Sequence, residues 1–150
     1  MTIRIVTDSA CDLPQYLVDQ YKISIVPLSV RFGEHEFIDR QDLTTEQFWK
    51  RCDSSPVLPE TAAPSPGQFE AEFRKLAAEG ATGIVMISLS GILSATMQSA
   101  ELAAKAVAGH ISVRVVDSRS GSMGQGITVI ACAKLAETGA SLDEVAAVGD

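Results

Sequence analysis

The chain has 150 residues, 46% of them apolar and 21% charged, and carries a net charge of −7. That length suits one domain with a buried core and is short for two. The acidic balance, without clustered Lys and Arg, excludes nucleic acid as an expected partner, and no apolar run approaches the ~20 residues of a membrane helix.

Thr2 to Thr7, alternating at Ile3, Ile5 and Thr7, predicts a first strand that delivers Asp8-Ser9 to the carboxyl end of a sheet. Asp12 is placed to cap the helix that follows, with Pro14 in its first turn and Leu13, Leu17, Val18 and Tyr21 as its buried stripe. Residues 23–30 predict a second strand, which Pro27 assigns to an edge or a bulge, and residues 32–37 a small turn or hairpin. Thr44 and Gln47 form a capping box, with Leu43 stapled to Phe48, and open a short helix. Residues 53–67 contain Pro56, Pro59, Pro64 and Pro66 and read as a loop stiffened by its prolines. The loop closes on a second capping box at Ser65 and Gln68, and Phe69, Phe73, Leu76 and Ala77 give the next helix one apolar face that Gly80 ends.

Within the stretch Ala81–Ala104, the β-branched run Ile84 to Ile87 predicts a buried parallel strand. It breaks into Ser88, Ser90, Gly91 and Ser94 and leads to a helix with Leu93, Met97, Ala100, Ala104 and Val107 on one face. A strand that ends in hydroxyls and opens a helix suits an anion, because unpaired N–H groups and the positive dipole end point out of it. Residues 111–116 predict a further strand ending in Asp117-Ser118, and Gly124 to Thr138 a helix with Met123, Ile127, Ile130, Ala131 and Leu135 inward. A capping box at Ser141 and Glu144 opens a last helix only about two turns before Asp150, which predicts a longer natural polypeptide or a removed second domain. Strands alternating with helices make an α/β domain with a mostly parallel sheet flanked by helices. The loops after its strands share one edge, so Asp8-Ser9, Ser88–Ser94 and Asp117-Ser118 converge there, with Thr61 leaning over them.

Hydroxyls dominate that edge, and catalytic partners are scarce. His35 and His110 are the only histidines, and each falls at a turn away from it, so no Ser-His-Asp arrangement is expected. Cys11, Cys52 and Cys132 form no C-x-x-C pair and read as reduced thiols of a cytoplasmic protein, with no metal and no cofactor. A carboxylate ligand can take hydrogen bonds from several hydroxyls and helix amides, so Ser9, Ser65, Ser90, Ser118 and Asp8 are candidate supporting residues. Ser65 is expected to act as a helix cap, Ser94 is open between cap and ligand, and Asp8 and Asp117 are expected as loop-ordering acceptors. An alternative reading makes Asp8 the nucleophile of a metal-dependent phosphotransferase or hydrolase, with Asp12 or Asp117 on the ion.

Four separated motifs resemble the DegV family of bacterial fatty-acid-binding proteins: Asp8-Ser9 with Asp12-Leu13; Asp42-Leu43-Thr44 with Phe48; Thr61 to Gly67; and Leu93-Ser94-Ala95-Thr96 with Gln98-Ser99-Ala100. The resemblance implies a Rossmann-like three-layer N-terminal domain that, with a second C-terminal domain missing from this chain, encloses one long-chain fatty acid. It further implies that Thr61 and Ser94 hold the carboxyl group, and that the acid is offered to a separate fatty acid kinase of the dihydroxyacetone-kinase type, which makes the acyl phosphate. The protein itself is then a lipid-binding carrier and not an enzyme. Ala62 and Ala63 stand where the family has Ser and Gln, and Ala95 where it has Gly. Without its cover, such a half-site is expected to expose an apolar face and to favour self-association.

Overall fold

The computed structural model describes residues 2–149. The first strand, β1 (Ile3–Asp8), leads through a 3-10 turn (Ser9–Cys11) to α1 (Gln15–Gln20). There follow β2 (Ser24–Val26), β3 (Ser29–Phe32), β4 (His35–Ile38), α2 (Thr45–Ser54), β5 (Glu60–Ala62) and α3 (Pro66–Ala78). The chain continues through β6 (Gly83–Ser88), α4 (Thr96–Val107), β7 (Ser112–Asp117), α5 (Ser122–Glu137) and α6 (Leu142–Gly149). No helix among the described residues is long and apolar enough to cross a membrane.

The main sheet is parallel throughout, in the order β2-β1-β6-β7. Every residue of β6 is buried, as its unbroken apolar run requires of a central parallel strand covered on both faces. Successive side chains alternate between two cores. Val85 and Ile87 join Ile3, Ile5, Val129 and Val145 under α5 and α6. Ile84 and Met86 join Val6, Phe69, Phe73 and Leu76 under α3 and α4. Helices therefore lie on both sides of one sheet, in the three-layer α/β arrangement the strand pattern predicts.

Residues 23–30 do not form one strand. Pro27 has no N–H to give a ladder, and the segment divides there: β2 stays as the edge of the main sheet, while β3 starts a second, antiparallel sheet in the order β4-β3-β5. The predicted hairpin is β3–β4, with Gly33 at φ 62° in its turn. Part of the proline-rich loop is also strand: Thr61 pairs with Val30, so β5 completes the second sheet. This sheet and α2 have a core of their own, built on Val30, Phe32 and Leu43 with Phe37 and Phe48.

All three capping boxes form, with Thr44 against Gln47, Ser65 against Gln68 and Ser141 against Glu144. Three other expectations are corrected. Asp12 does not cap α1: it is left-handed (φ 50°), and Pro14 stands at the N-cap without a side-chain bond. Leu93 precedes α4 and is 72% exposed; the buried stripe of that helix is Thr96, Ala100, Ala103 and Val107. In α5, Met123 and Ile127 point outward, and Gln125, Gly126, Val129, Cys132 and Ala133 face the body. Apolar residues lie all round that helix, so periodicity does not set its phase. The closest approach of another backbone does: a Cβ on Gly126 would stand 2.7 Å from the Cys11 carbonyl oxygen.

Candidate functional site

The ends of β1, β6 and β7 meet as the parallel topology requires. Asp8 Oδ2 accepts from the Leu89 N–H at 2.7 Å and Oδ1 from the Ala10 N–H at 3.0 Å. Asp117 Oδ1 accepts from the N–H groups of Gly91 and Arg119 at 3.1 and 2.8 Å. Both aspartates thus order loops, as expected from the sequence. Asp8 is fully buried, and that burial raises its pKa against the pull of its hydrogen bonds. With no exposed surface and no place in the lining of the cleft described below, neither oxygen of Asp8 faces that cleft. Asp12 is exposed, and among the described residues no three His, Cys, Asp or Glu side chains stand together as a metal site. His35 and His110 are both exposed, and neither lies in the cleft described below. Burial pushes the Cys11 and Cys132 thiols up to about 11, so neither is a thiolate at neutral pH.

The serines of this edge differ in what their hydroxyls do. Ser9, 2% exposed, accepts from the Leu28 N–H at 3.0 Å and so joins β1 to the start of the second sheet. Ser118 Oγ accepts from the Ser120 N–H and donates to the Ser120 carbonyl, which closes a local turn. Ser90 is buried, with its backbone carbonyl accepting from Leu93 and Ser94. Ser65 is the cap of α3. Ser94, half-buried, accepts from the Thr96 N–H at 3.2 Å, and its hydroxyl lies 2.8 Å from that of Thr96, at the start of α4.

Thr61 is exposed on β5 and lines a cleft of about 790 Å³, within the ~300–1,000 Å³ typical of small-molecule sites. One wall belongs to the main body: Ser9, Leu13, Pro14, Leu28 and Ser122. The other belongs to the second sheet and α2: Val30, Arg40, Phe48, Trp49 and Thr61. The walls are more apolar than polar, with hydroxyls from Ser9, Thr44, Thr45, Thr61 and Ser122 and the carboxylates of Asp12 and Asp39 among them. The structure therefore brings Ser9 and Thr61 together on one cleft; Asp8, Ser65, Ser90, Ser94 and Ser118 do not line it.

Sequence reasoning passed over the cleft's aromatic wall and its only cation, Arg40. It also passed over Gln125, which is fully buried on α5 and donates through Nε2 to Thr7 Oγ1 at 2.9 Å, while its Oε1 has no partner. The one available signal was a glutamine within the otherwise apolar run of α5. Phe48 carried a signal for packing alone, as the partner of Leu43.

A family profile described as "Uncharacterised protein, DegV family" matches residues 2–149. A DegV domain-containing protein of Clostridium perfringens is 32% identical over 143 residues, which cover 95% of this chain and 50% of that protein. A solved structure from Thermus thermophilus, described as showing fatty acid binding of a DegV family protein, superimposes with a TM-score of 0.87 at 39% identity, over 99% of this chain and 52% of that one. DegV of Bacillus subtilis, described as a fatty acid binding protein, gives a TM-score of 0.92 at 28% identity, over 99% and 52% of the two chains. This chain spans about half the length of the relatives it matches. It belongs to the DegV family, several of whose solved members are fatty-acid-binding proteins.

Proposed function

We propose that this chain binds one long-chain fatty acid through its carboxyl group and presents it to a separate fatty acid kinase of the dihydroxyacetone-kinase type for acyl-phosphate formation. The observation that carries the reading is the cleft between the main body and the second sheet, apolar along Leu13, Leu28, Val30, Phe48 and Trp49 and bearing the Thr61 hydroxyl. Each methylene taken out of water there is worth about 0.8 kcal/mol, which favours a long acyl chain. Thr61 donates to the carboxylate; Ser94, bonded to Thr96 at the amino end of α4 where the helix dipole favours an anion, does not line this cleft and would join only a carboxylate that reaches beyond its mouth. The burial of Asp8 and its place outside the cleft support a carrier over the metal-dependent phosphotransferase or hydrolase. The part of its relatives that this chain does not span would then close the cleft, and the exposed Ile92, Leu93 and Ile127 are apolar surface that favours self-association.

Trp49 is the only tryptophan and lies in the cleft wall, 61% exposed, so its emission reports occupancy. Titration with oleate should shift that emission to the blue and saturate at one equivalent, and mass spectrometry of an organic extract should find a fatty acid. Thr61→Val keeps the shape and removes one charged hydrogen bond of ~1.5–3 kcal/mol, so its oleate affinity should fall about tenfold or more. Unchanged affinity in that variant would remove Thr61 from the site.

A further inference from the structure

We infer that Arg40 is a positioning residue that sets the width of the cleft, by tying the second sheet to the loop that follows β1. Residues 29–62 form a module within the domain: the sheet β4-β3-β5 and α2, closed around a core that shares no residue with the two cores of the main sheet. The chain enters this module just after Pro27 and leaves it just before Pro64, and the two prolines restrict the backbone at both joints. Such a unit is free to swing as a body unless something fastens its far side.

Arg40 does so. It lies between β4 and α2, on the side of the cleft opposite the main body, and its guanidinium Nη2 reaches across to donate to the Leu13 carbonyl at 2.9 Å and to Gln15 Oε1 at 3.2 Å. Among the described residues these are the only side-chain hydrogen bonds between residues 29–62 and the rest of the chain; the bond from Leu28 to Ser9 secures the joint itself. Arg40 also has φ 64°, a left-handed conformation that a residue with a Cβ adopts at a cost. The turn that holds it so is closed by the Asp42 N–H on the Ile38 carbonyl at 2.9 Å and the Ile38 N–H on Asp42 Oδ2 at 2.7 Å, so the Arg40 side chain leaves a fixed backbone toward the main body. The wall that moves if they break is the one bearing Thr61 and Trp49, so Arg40 governs how far that wall stands from Leu13 and Pro14.

The ligand part of this inference rests on the fatty-acid reading; the geometric part does not. Nitroxide labels at Gln20→Cys on α1 and Glu46→Cys on α2, both exposed positions, measure the separation of the two walls in the ligand-free protein, with Cys52→Ser to prevent stray labelling. Arg40→Met keeps the stem and removes the donors, and should broaden the distance distribution toward longer separations. Arg40→Lys keeps one donor and should stay near the parent distribution. Superimposable distributions for the parent and Arg40→Met would overturn the inference. In the unlabelled proteins, Arg40→Met should release oleate at least about fivefold faster without lowering the unfolding midpoint; equal release rates would overturn the ligand part. A parent protein that binds no oleate would sink the fatty-acid reading alone, since the label distances still decide the role of Arg40.

Discussion

Asp8 sits at the end of β1 with no exposed surface, and its carboxyl is held between the N–H groups of Ala10 and Leu89. Burial raises its pKa, so the native state holds its proton more tightly than the unfolded chain does. Its contribution to stability therefore falls as pH rises from the unfolded value of 3.8 to the raised native one, and is constant beyond. Asp8→Asn does not titrate. The urea midpoint of the parent should thus lose ground to that of the variant as pH rises through the window above 3.8, and a pH-independent difference would contradict this assignment. The loop-ordering part of Asp8 was legible in the sequence because its partners follow a strand end. Gln125 was not, because its partners, Thr7 and Ile87, come from two strands far along the chain.

Helix α5 shows where an element's own pattern is insufficient. Its apolar residues surround it, and its buried face meets the 3-10 turn Ser9–Cys11, where Gly126 leaves no room for a Cβ. Gly126→Ala would put a methyl 2.7 Å from the Cys11 carbonyl oxygen and 3.0 Å from Leu13 Cδ2. One of these contacts is backbone and cannot turn aside, so the variant should lose about 1–3 kcal/mol of unfolding free energy, measured by denaturant titration. Ala is ordinarily the better helix former, and a stabilised variant would mean that the turn yields. The three capping boxes were readable because both halves of each lie within four residues.

On the scale of the molecule, the cleft exists because two structures meet: a three-layer body and a module with a separate small core. A ligand seated between them binds the folded state alone and must stabilise it by mass action. Oleate at about 100 times its Kd should contribute about 2.7 kcal/mol and raise the unfolding midpoint of a chain this size by roughly 5–10 °C. No rise at saturating oleate would mean that the native chain does not take the acid into this cleft.

The sequence by itself determined the class of fold, the central buried strand β6, the helix starts at Thr44, Ser65 and Ser141, and the family, because each depends on residues within one or two turns or on motifs kept in order. It also singled out Thr61. Only the tertiary structure decided that Pro27 divides one apolar run between two sheets, that Thr61 sits in a strand opposite Val30, and that Arg40 reaches Leu13. The last two depend on partners far along the chain, Leu13 at 27 residues from Arg40 and Val30 at 31 from Thr61. Local propensity contains no information about such partners; the free energy of closing the sheets and the cleft selects them.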